Sequence, residues 1–255
     1  MYKNIFDTHA HYDDERFDED RDELLSSLFS GSVSNIINCG CDLKSSLTSL
    51  SLAEKYQNLY AAVGVHAHEA NECSKEDLEE IQKLYSHEKV VAVGEIGLDY
   101  HYDFSPRDRQ IEIFSYQVEL ANKLNLPVII HDREAHEDTY ETLRRYRPKG
   151  VIHCFSGSKE LAKEAIGLGM YIGLGGAVTF KNARRPLEVA EYVPLDRLLL
   201  ETDAPYMTPV PFRGTRCDSA HIRYTAEKIA EVKNIGVQEL IDICAENAKR
   251  LFLTK

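Results

Sequence analysis

Eight short apolar runs, each followed by a stretch with helical spacing, recur along this chain of 255 residues. We read the runs as strands at Asn4–Phe6, Asn35–Cys39, Tyr60–Val65, Val90–Gly94, Val128–Ile130, Gly150–Ile152, Met170–Gly173 and Leu198–Leu200. The stretches between them are amphipathic. Arg107–Leu124 carries Ile111, Phe114, Val118, Leu120 and Ala121 at helical spacing, and Leu161–Leu168 and Tyr224–Lys233 follow the same period. Leu126-Pro127 and Arg147-Pro148 stand just ahead of the fifth and sixth strands, where proline disfavours helix in the preceding residue. Eight βα units in about 250 residues are what a (β/α)8 TIM barrel needs. A doubly wound open sheet is the alternative, but no glycine-rich dinucleotide fingerprint follows the first strand. No linker or low-complexity segment interrupts the alternation, so the prediction is an α/β chain forming a single TIM-barrel domain over residues 1–255.

A barrel of this kind builds its active site at the C-terminal ends of its strands. Imidazoles and carboxylates gather there: Asp7-Thr8-His9-Ala10-His11 after the first strand, then Glu95, His131, His153 and Asp203 after the fourth, fifth, sixth and eighth. Side chains alternate on an extended chain, so His9 and His11 point the same way. Neutral imidazoles and carboxylates converging on one point suit a divalent metal better than any other ligand. The reading is a metal-dependent hydrolase in which His9, His11 and Asp203 hold one ion, His131 and His153 hold a second, and Glu95 bridges them. Two ions about 3.5–4 Å apart polarise a phosphoryl oxygen, lower the pKa of a water and stabilise the leaving oxygen. Asp203 borders the open position and is the candidate to orient that water and take its proton; Glu95 is the other catalytic carboxylate. Mixed ligation of this sort suits zinc, manganese, iron or cobalt, whereas magnesium prefers fewer imidazoles.

Two other readings use the same residues. A mononuclear zinc deaminase or amidase needs the His-x-His pair, a strand-five histidine and the strand-eight aspartate, but no bridging group after strand four. Glu95 therefore favours two ions. A non-catalytic relict would have lost ligands, and none is missing.

The net charge of −12 argues against a protein that coats nucleic acid electrostatically. The charge is uneven, however: residues 1–127 hold 11 Lys/Arg against 24 Asp/Glu, and the remainder 19 against 18. A few local arginines can still hold a phosphate. No apolar run approaches the roughly 18 residues that span a bilayer. No signal-peptide apolar region precedes Asp7, so a cytoplasmic protein without membrane association or an obligate protein partner is expected. The six cysteines have no Cys-x-x-Cys spacing and read as reduced thiols. Cys39-Gly40-Cys41 follows the second strand and is read as standing apart from the site.

Four motifs in order give the chain a family likeness. Phe6-Asp7-Thr8-His9-Ala10-His11, Gly94-Glu95-Ile96-Gly97-Leu98-Asp99-Tyr100, His153-Cys154-Phe155-Ser156-Gly157 and Glu201-Thr202-Asp203-Ala204-Pro205-Tyr206 resemble the TatD family of metal-dependent deoxyribonucleases, as does the closing Asn247-Ala248-Lys249-Arg250-Leu251-Phe252. The resemblance implies a TIM barrel of the amidohydrolase type, two divalent ions and phosphodiester hydrolysis that trims DNA from its 3′ end. It implies His9, His11, Glu95 and Asp203 around one ion, and Glu95, His131 and His153 around the other.

Two segments depart from the family pattern. Gly64-Val65-His66-Ala67-His68 stands where the family reads Gly-Val-His-Pro-His; His66 keeps the position of a substrate-side histidine. Phe212-Arg213-Gly214-Thr215-Arg216-Cys217 stands where the family has Arg-Gly-x-Arg-Asn, and Asp218-Ser219-Ala220-His221 lacks the usual Glu-Pro. A thiol replaces an amide that both donates and accepts, which bears on substrate range. Arg213 and Arg216, with Lys181, Arg184 and Arg185 after the seventh strand, are the phosphate-binding candidates. Tyr100, Phe155 and Tyr206 stand beside ligand positions as candidates to stack on a base. His87 and His136 read as surface groups, and Asp13–Glu23 as a solvated acidic face.

Overall fold

The structure, a computed structural model, describes residues 2–254. Its strands are β1 (Ile5–Ala10), β2 (Val33–Cys39), β3 (Leu59–Val63), β4 (Val90–Asp99), β5 (Val128–Arg133), β6 (Gly150–Ile152), β7 (Tyr171–Leu174) and β8 (Leu198–Leu200). Around them lie α1 (Arg21–Ser30), α2 (Leu43–Lys55), α3 (Lys75–Leu84), α4 (Arg107–Leu124), α5 (His136–Tyr146), α6 (Lys159–Gly167), α7 (Arg184–Tyr192), α8 (Ile222–Lys233) and α9 (Val237–Ala248).

The strands make one parallel sheet in sequential order. It closes just past β8: Ala10 bridges Ala204, the Asp203 amide donates to the His9 carbonyl at 3.0 Å, and the His11 amide donates to the Ala204 carbonyl at 2.7 Å. The fold is a TIM barrel, and the open-sheet alternative falls away. Its seam is made by the residues that carry His9, His11 and Asp203, so closing the barrel and assembling that part of the site are one event.

Period-two alternation divides the core. Phe6, Ile37, Val91, Ile129, Val151 and Leu199 fill the lumen. Leu251 and Phe252 join the same cluster, and the Asn247 amide donates to the carbonyls of Leu195 (2.7 Å) and Leu198 (2.9 Å). The closing motif is thus a structural plug at the start of β8. Neighbouring strand residues such as Ile5, Ile36, Ile130 and Leu198 face the helices. Each such buried aliphatic side chain contributes about 1.5–3 kcal/mol.

The strands run further than their apolar runs indicate. The predicted first, fourth and fifth strands stop at Phe6, Gly94 and Ile130, yet β1 continues to Ala10, β4 to Asp99 and β5 to Arg133. Polar site residues interrupt the apolar pattern without breaking the ladder, because a closed barrel end still supplies backbone partners. Gly97 pairs with His131, and a Cβ there would lie 2.0 Å from the His131 carbonyl oxygen. Only glycine lets β4 pass that close. Helix α4 buries Phe114, Val118 and Ala121 as its period requires, but Ile111 and Leu120 are only partly covered. Buried Gln117 exchanges hydrogen bonds with both backbone groups of Val65 (2.8 and 3.0 Å), and Gln110 accepts from the Asp99 amide at 2.9 Å. These two amides clamp the strand ends that lead into the site.

Candidate metal centre

Imidazole nitrogens and carboxylate oxygens converge at the barrel mouth in two halves. In the first, His9 Nε2 and His11 Nε2 lie 3.0 Å apart, and Asp203 Oδ1 stands 3.7 and 3.5 Å from them. Glu95 Oε2 is 3.4 Å from His9 Nε2 and 3.5 Å from His11 Nε2. In the second, Glu95 Oε1 is 2.7 Å from His153 Nε2, 3.0 Å from His131 Nδ1 and 3.6 Å from His66 Nε2. The two oxygens of one buried carboxylate therefore face different sets of imidazoles.

Partners behind the rings orient them. His11 Nδ1 lies 2.9 Å from the Cys39 carbonyl, which only accepts, so the ring proton sits there and Nε2 presents its lone pair to the centre. His131 is turned the other way: Nε2 lies 3.0 Å from Asp99 Oδ2, leaving Nδ1 free for the centre. His9 and His153 stack with centroids 3.8 Å apart. Asp203 takes a left-handed backbone (φ 65°), a conformation aspartate tolerates better than most residues, pinned by its amide on His9 and by the Tyr206 amide on its carbonyl at 2.7 Å.

The electrostatics fit a cation. Burial, and then the neighbouring His153, push the His9 pKa down to about 4, and burial holds His66 well below its ordinary value. Against the cost of burial, the imidazoles around Glu95, His153 foremost, keep that carboxyl well below its usual range, and His11 lowers that of Asp203. Against the same cost, Asp203 raises His11, while Asp99 and Glu95 raise His131 to about 9. Ionised buried carboxylates with lone pairs turned inward form a donor set that protons satisfy only in part. Divalent cations fit it. His9, His11 and Asp203 form one compact ligand group; His66, Glu95 and His131 form another, and His9, Glu95 and His153 a third.

Several expectations change. The cysteines after β2 do not stand apart: Cys39 Sγ is 3.5 Å from His9 Nδ1, and Cys41 Sγ is 3.9 Å from Glu95 Oε2. The backbone turns Cys41 inward, which an isolated Cys-Gly-Cys does not reveal. Arg216 is engaged elsewhere: its guanidinium forks onto Asp20 (2.7 and 2.5 Å), donates to the Arg16 carbonyl and covers Phe17. That pairing also means that the acidic stretch 13–23 is not simply solvated; Asp14 accepts from the Tyr206 hydroxyl at 3.0 Å and Asp13 from Asn38 at 2.7 Å. Phe155 is buried and has no face to offer. Tyr100 donates its hydroxyl to Asp138 and lies under the Arg107 guanidinium, so its ring is covered. His136 is half-buried against Asp132 at 2.7 Å rather than a surface group, whereas His87 pairs with Glu54 outside the barrel.

Tyr206 is 46 % exposed and lies edge-on to His11 at 6.5 Å, with the Arg16 guanidinium over its ring; other exposed aromatics stand on the β4–α4 loop. Tyr102 (48 % exposed) and Phe104 (67 %) stack on each other in the β4–α4 loop, and His68 sets its ring edge-on to both. His68 in turn lies 3.0 Å from Asp99 Oδ2. Arg213 is exposed and lies over Phe180. Beside His153, a cleft of about 640 Å³ is lined by Cys154, Ser156, Asn182, Arg184, Arg185 and Met207. The residue pattern gives Asp99 and His68 no role and sets Cys41 apart from the site. Asp99 carries a signal that points to it: it lies four residues from Glu95 on one strand, hence on the same face.

Comparisons with known proteins agree with this geometry. The family model described as TatD related DNase matches residues 6–253. The chain is 45% identical over 251 residues to the uncharacterized metal-dependent hydrolase YabD of Bacillus subtilis, covering 97% of this chain and 98% of that protein. It is 33% identical over 259 residues to the 3′-5′ ssDNA/RNA exonuclease TatD of Escherichia coli K12, covering 97% and 98%. The crystal structure of YJJV, a TatD homolog from Escherichia coli K12, superposes with a TM-score of 0.93 at 34% identity, with all of both chains covered. No helix among the described residues is long and apolar enough to cross a membrane.

Proposed function

The chain belongs to the TatD-related DNase family of metal-dependent hydrolases, and on that premise we propose that it is a two-metal 3′-5′ exonuclease acting on single-stranded DNA. The observation that carries the reading is the divided Glu95 carboxylate: Oε2 faces His9 and His11, while Oε1 faces His131 and His153. A mononuclear deaminase has no use for that division. His9, His11 and Asp203 would hold one cation and His131 with His153 the other, with Glu95 facing both. Cations so held supply Lewis-acid polarisation of a phosphoryl oxygen and lower the pKa of a nearby water.

The chain's own groups do the rest. Asp203 keeps some solvent access (21 % at its side chain) where the other carboxylate has almost none, so it is the group placed to orient a water and accept its proton. Arg213 and the Arg184/Arg185 cleft provide forked donors for phosphate oxygens without a basic surface. Phe104, the more exposed of the stacked pair, offers a sequence-tolerant face to a base, whereas the Tyr102 ring is covered by Phe104 and the Arg133 guanidinium. His66, aimed at Glu95 and held neutral by burial, presents a ring to the substrate side of the second half. A relative named a 3′-5′ ssDNA/RNA exonuclease supports the substrate class and the polarity. We place the reaction in the reducing cytoplasm, since all six cysteines are free thiols.

The test is metal analysis of the purified protein together with a screen of 3′-labelled single-stranded DNA, RNA and small phosphodiesters. Two equivalents of metal and shortening from the 3′ end are expected. Full phosphodiesterase activity in excess chelator with verified zero metal removes the reading, as does a preference for uncharged amides or esters.

A further inference from the structure

We propose that Cys41 is a sulfur ligand of the metal centre, completing the half built on His11 and Glu95 and biasing it toward zinc, cobalt or iron(II) over manganese and magnesium. The inference rests on reading the site as a metal centre, and its test separates the two.

The thiol belongs to a cluster drawn from β4 and the segments that follow β1 and β2. Its sulfur, a His11 ring nitrogen and a Glu95 oxygen all lie within 4.8 Å of one another, with Sγ 3.9 Å from Glu95 Oε2 and that oxygen 3.5 Å from His11 Nε2. Zinc–ligand bonds of about 2.0–2.3 Å in a tetrahedron set neighbouring donor atoms roughly 3.3–3.6 Å apart. The Oε2–Nε2 separation already falls in that range, and the Sγ–Oε2 separation is within a few tenths of an ångström of it.

The sulfur is also held in place. The Cys41 amide donates to Ser45 Oγ at 2.8 Å, inside the capping box that starts α2, and its carbonyl accepts from the His66 amide at 2.8 Å. The preceding carbonyl, of Gly40, accepts from the Glu95 amide at 2.9 Å. Any Cβ on Gly40 would lie 2.6 Å from the Ser46 Cα, so the loop packs against α2 with no room to swing away. The three segments that fix Cys41 are those that carry His66, Glu95 and α2.

Cys39 provides the contrast. Its sulfur faces His9 Nδ1, the side of that ring opposite the nitrogen turned to the centre. Cys39 backs a ligand, whereas Cys41 borders the centre itself. The chemical consequence is selective. Imidazole and carboxylate alone accept several divalent ions, but a thiolate favours zinc, cobalt and iron over manganese and magnesium. On binding, the Cys41 thiol proton leaves to solvent and the sulfur lone pair goes to the cation.

The test loads metal-free protein with cobalt(II) and reads its absorption. A sulfur-to-cobalt charge-transfer band in the near ultraviolet is expected in the wild type and in Cys39→Ser, and its loss in Cys41→Ser and Cys41→Ala. Visible ligand-field bands from the imidazoles should persist in every variant. Zinc-against-manganese competition by equilibrium dialysis should show Cys41→Ser losing zinc preference by more than about tenfold, the lower end of what even outer-shell partners contribute. Ligand-field bands without a charge-transfer band in the wild type overturn the sulfur ligand and leave the metal centre standing. A charge-transfer band that survives in Cys41→Ser does the same. If no cobalt binds, both readings fall.

Discussion

Asp99 Oδ2 stands 3.0 Å from His131 Nε2 and 3.0 Å from His68 Nε2, joining a candidate ligand to the exposed loop of Tyr102 and Phe104 through one fully buried carboxylate. Its other oxygen accepts from the amides of His101 (3.0 Å) and Tyr102 (2.9 Å). Against the cost of burial, His131 keeps this carboxyl far below the usual range. Asp99 thus sets the proton on His131 and the shape of the loop together.

Asp99→Asn keeps an acceptor for the loop amides but removes the charge. The affinity for the second ion should fall by about 10–100-fold, as for other partners behind a ligating histidine. The first ion should be unaffected. Calorimetric titration of metal-free protein resolves the two; equal weakening of both, or of neither, contradicts the assignment.

Asp203→Asn preserves size but gives a poor base and a weak ligand. A kcat loss on the order of 10²–10⁴ is expected, the usual scale for a general base, with the circular dichroism spectrum unchanged. A kcat near wild type would take Asp203 out of the chemistry.

Glu95→Ala removes the group that faces both halves. Occupancy should drop at both positions and hydrolysis should vanish. Retention of one tightly held ion with deaminase or amidase turnover would instead favour mononuclear chemistry.

Glu201 gives a pH dependence separate from catalysis. It is buried behind the site, with Oε1 accepting from the Cys154 amide and Oε2 without a partner among the described residues. Gly173 makes room for it, since a Cβ there would lie 2.3 Å from Oε2. Burial pushes its pKa up to about 8 from an ordinary 4.5. The folded chain therefore holds one more proton here than the unfolded chain between those values. Stability from this group is complete below about pH 4.5 and declines as pH rises to about 8, by at most about 1.4 kcal/mol per pH unit. In metal-free protein, Glu201→Gln should flatten that decline in urea titrations from pH 5 to 9. An unchanged slope would show that Glu201 is ionised in the fold.

The barrel and the ligand set are legible in the residue order because both obey local rules. Period two puts His9 with His11, and the strand ends collect Glu95, His131, His153 and Asp203. What local spacing hides is pairing across the chain. Arg216 meets Asp20 across 196 positions, and Cys41 meets Glu95 across 54. Strand limits fail for a related reason: apolar periodicity stops where polar side chains begin, yet hydrogen bonds carry β4 on to Asp99. Exposure is equally invisible, so Phe155 and Tyr100 look as available as Phe104.

Those pairings narrow how a −12 protein grips a polyanion. With Arg216 engaged by Asp20, the phosphate candidates left are Arg213, Lys181 and the pair Arg184 and Arg185; Arg184 already meets Glu188 at 2.9 Å, and Arg133 at the end of β5 is taken up over the Tyr102 ring. Two or three phosphate contacts imply a shallow salt dependence, a log–log slope of roughly −1.4 to −2.1 at ~0.7 per phosphate for a single strand. Stacking must then carry much of the affinity, at about 1–3 kcal/mol per base. Arg213→Ala should lower kcat/KM for oligonucleotides and reduce the salt slope by about one contact, with metal content unchanged. Phe104→Ala should raise KM for oligonucleotides, leave the slope alone and spare a small phosphodiester that has no base to stack. A steep slope suited to many phosphates, or oligonucleotide kinetics indifferent to both substitutions, would place the strand on a different path across the barrel mouth.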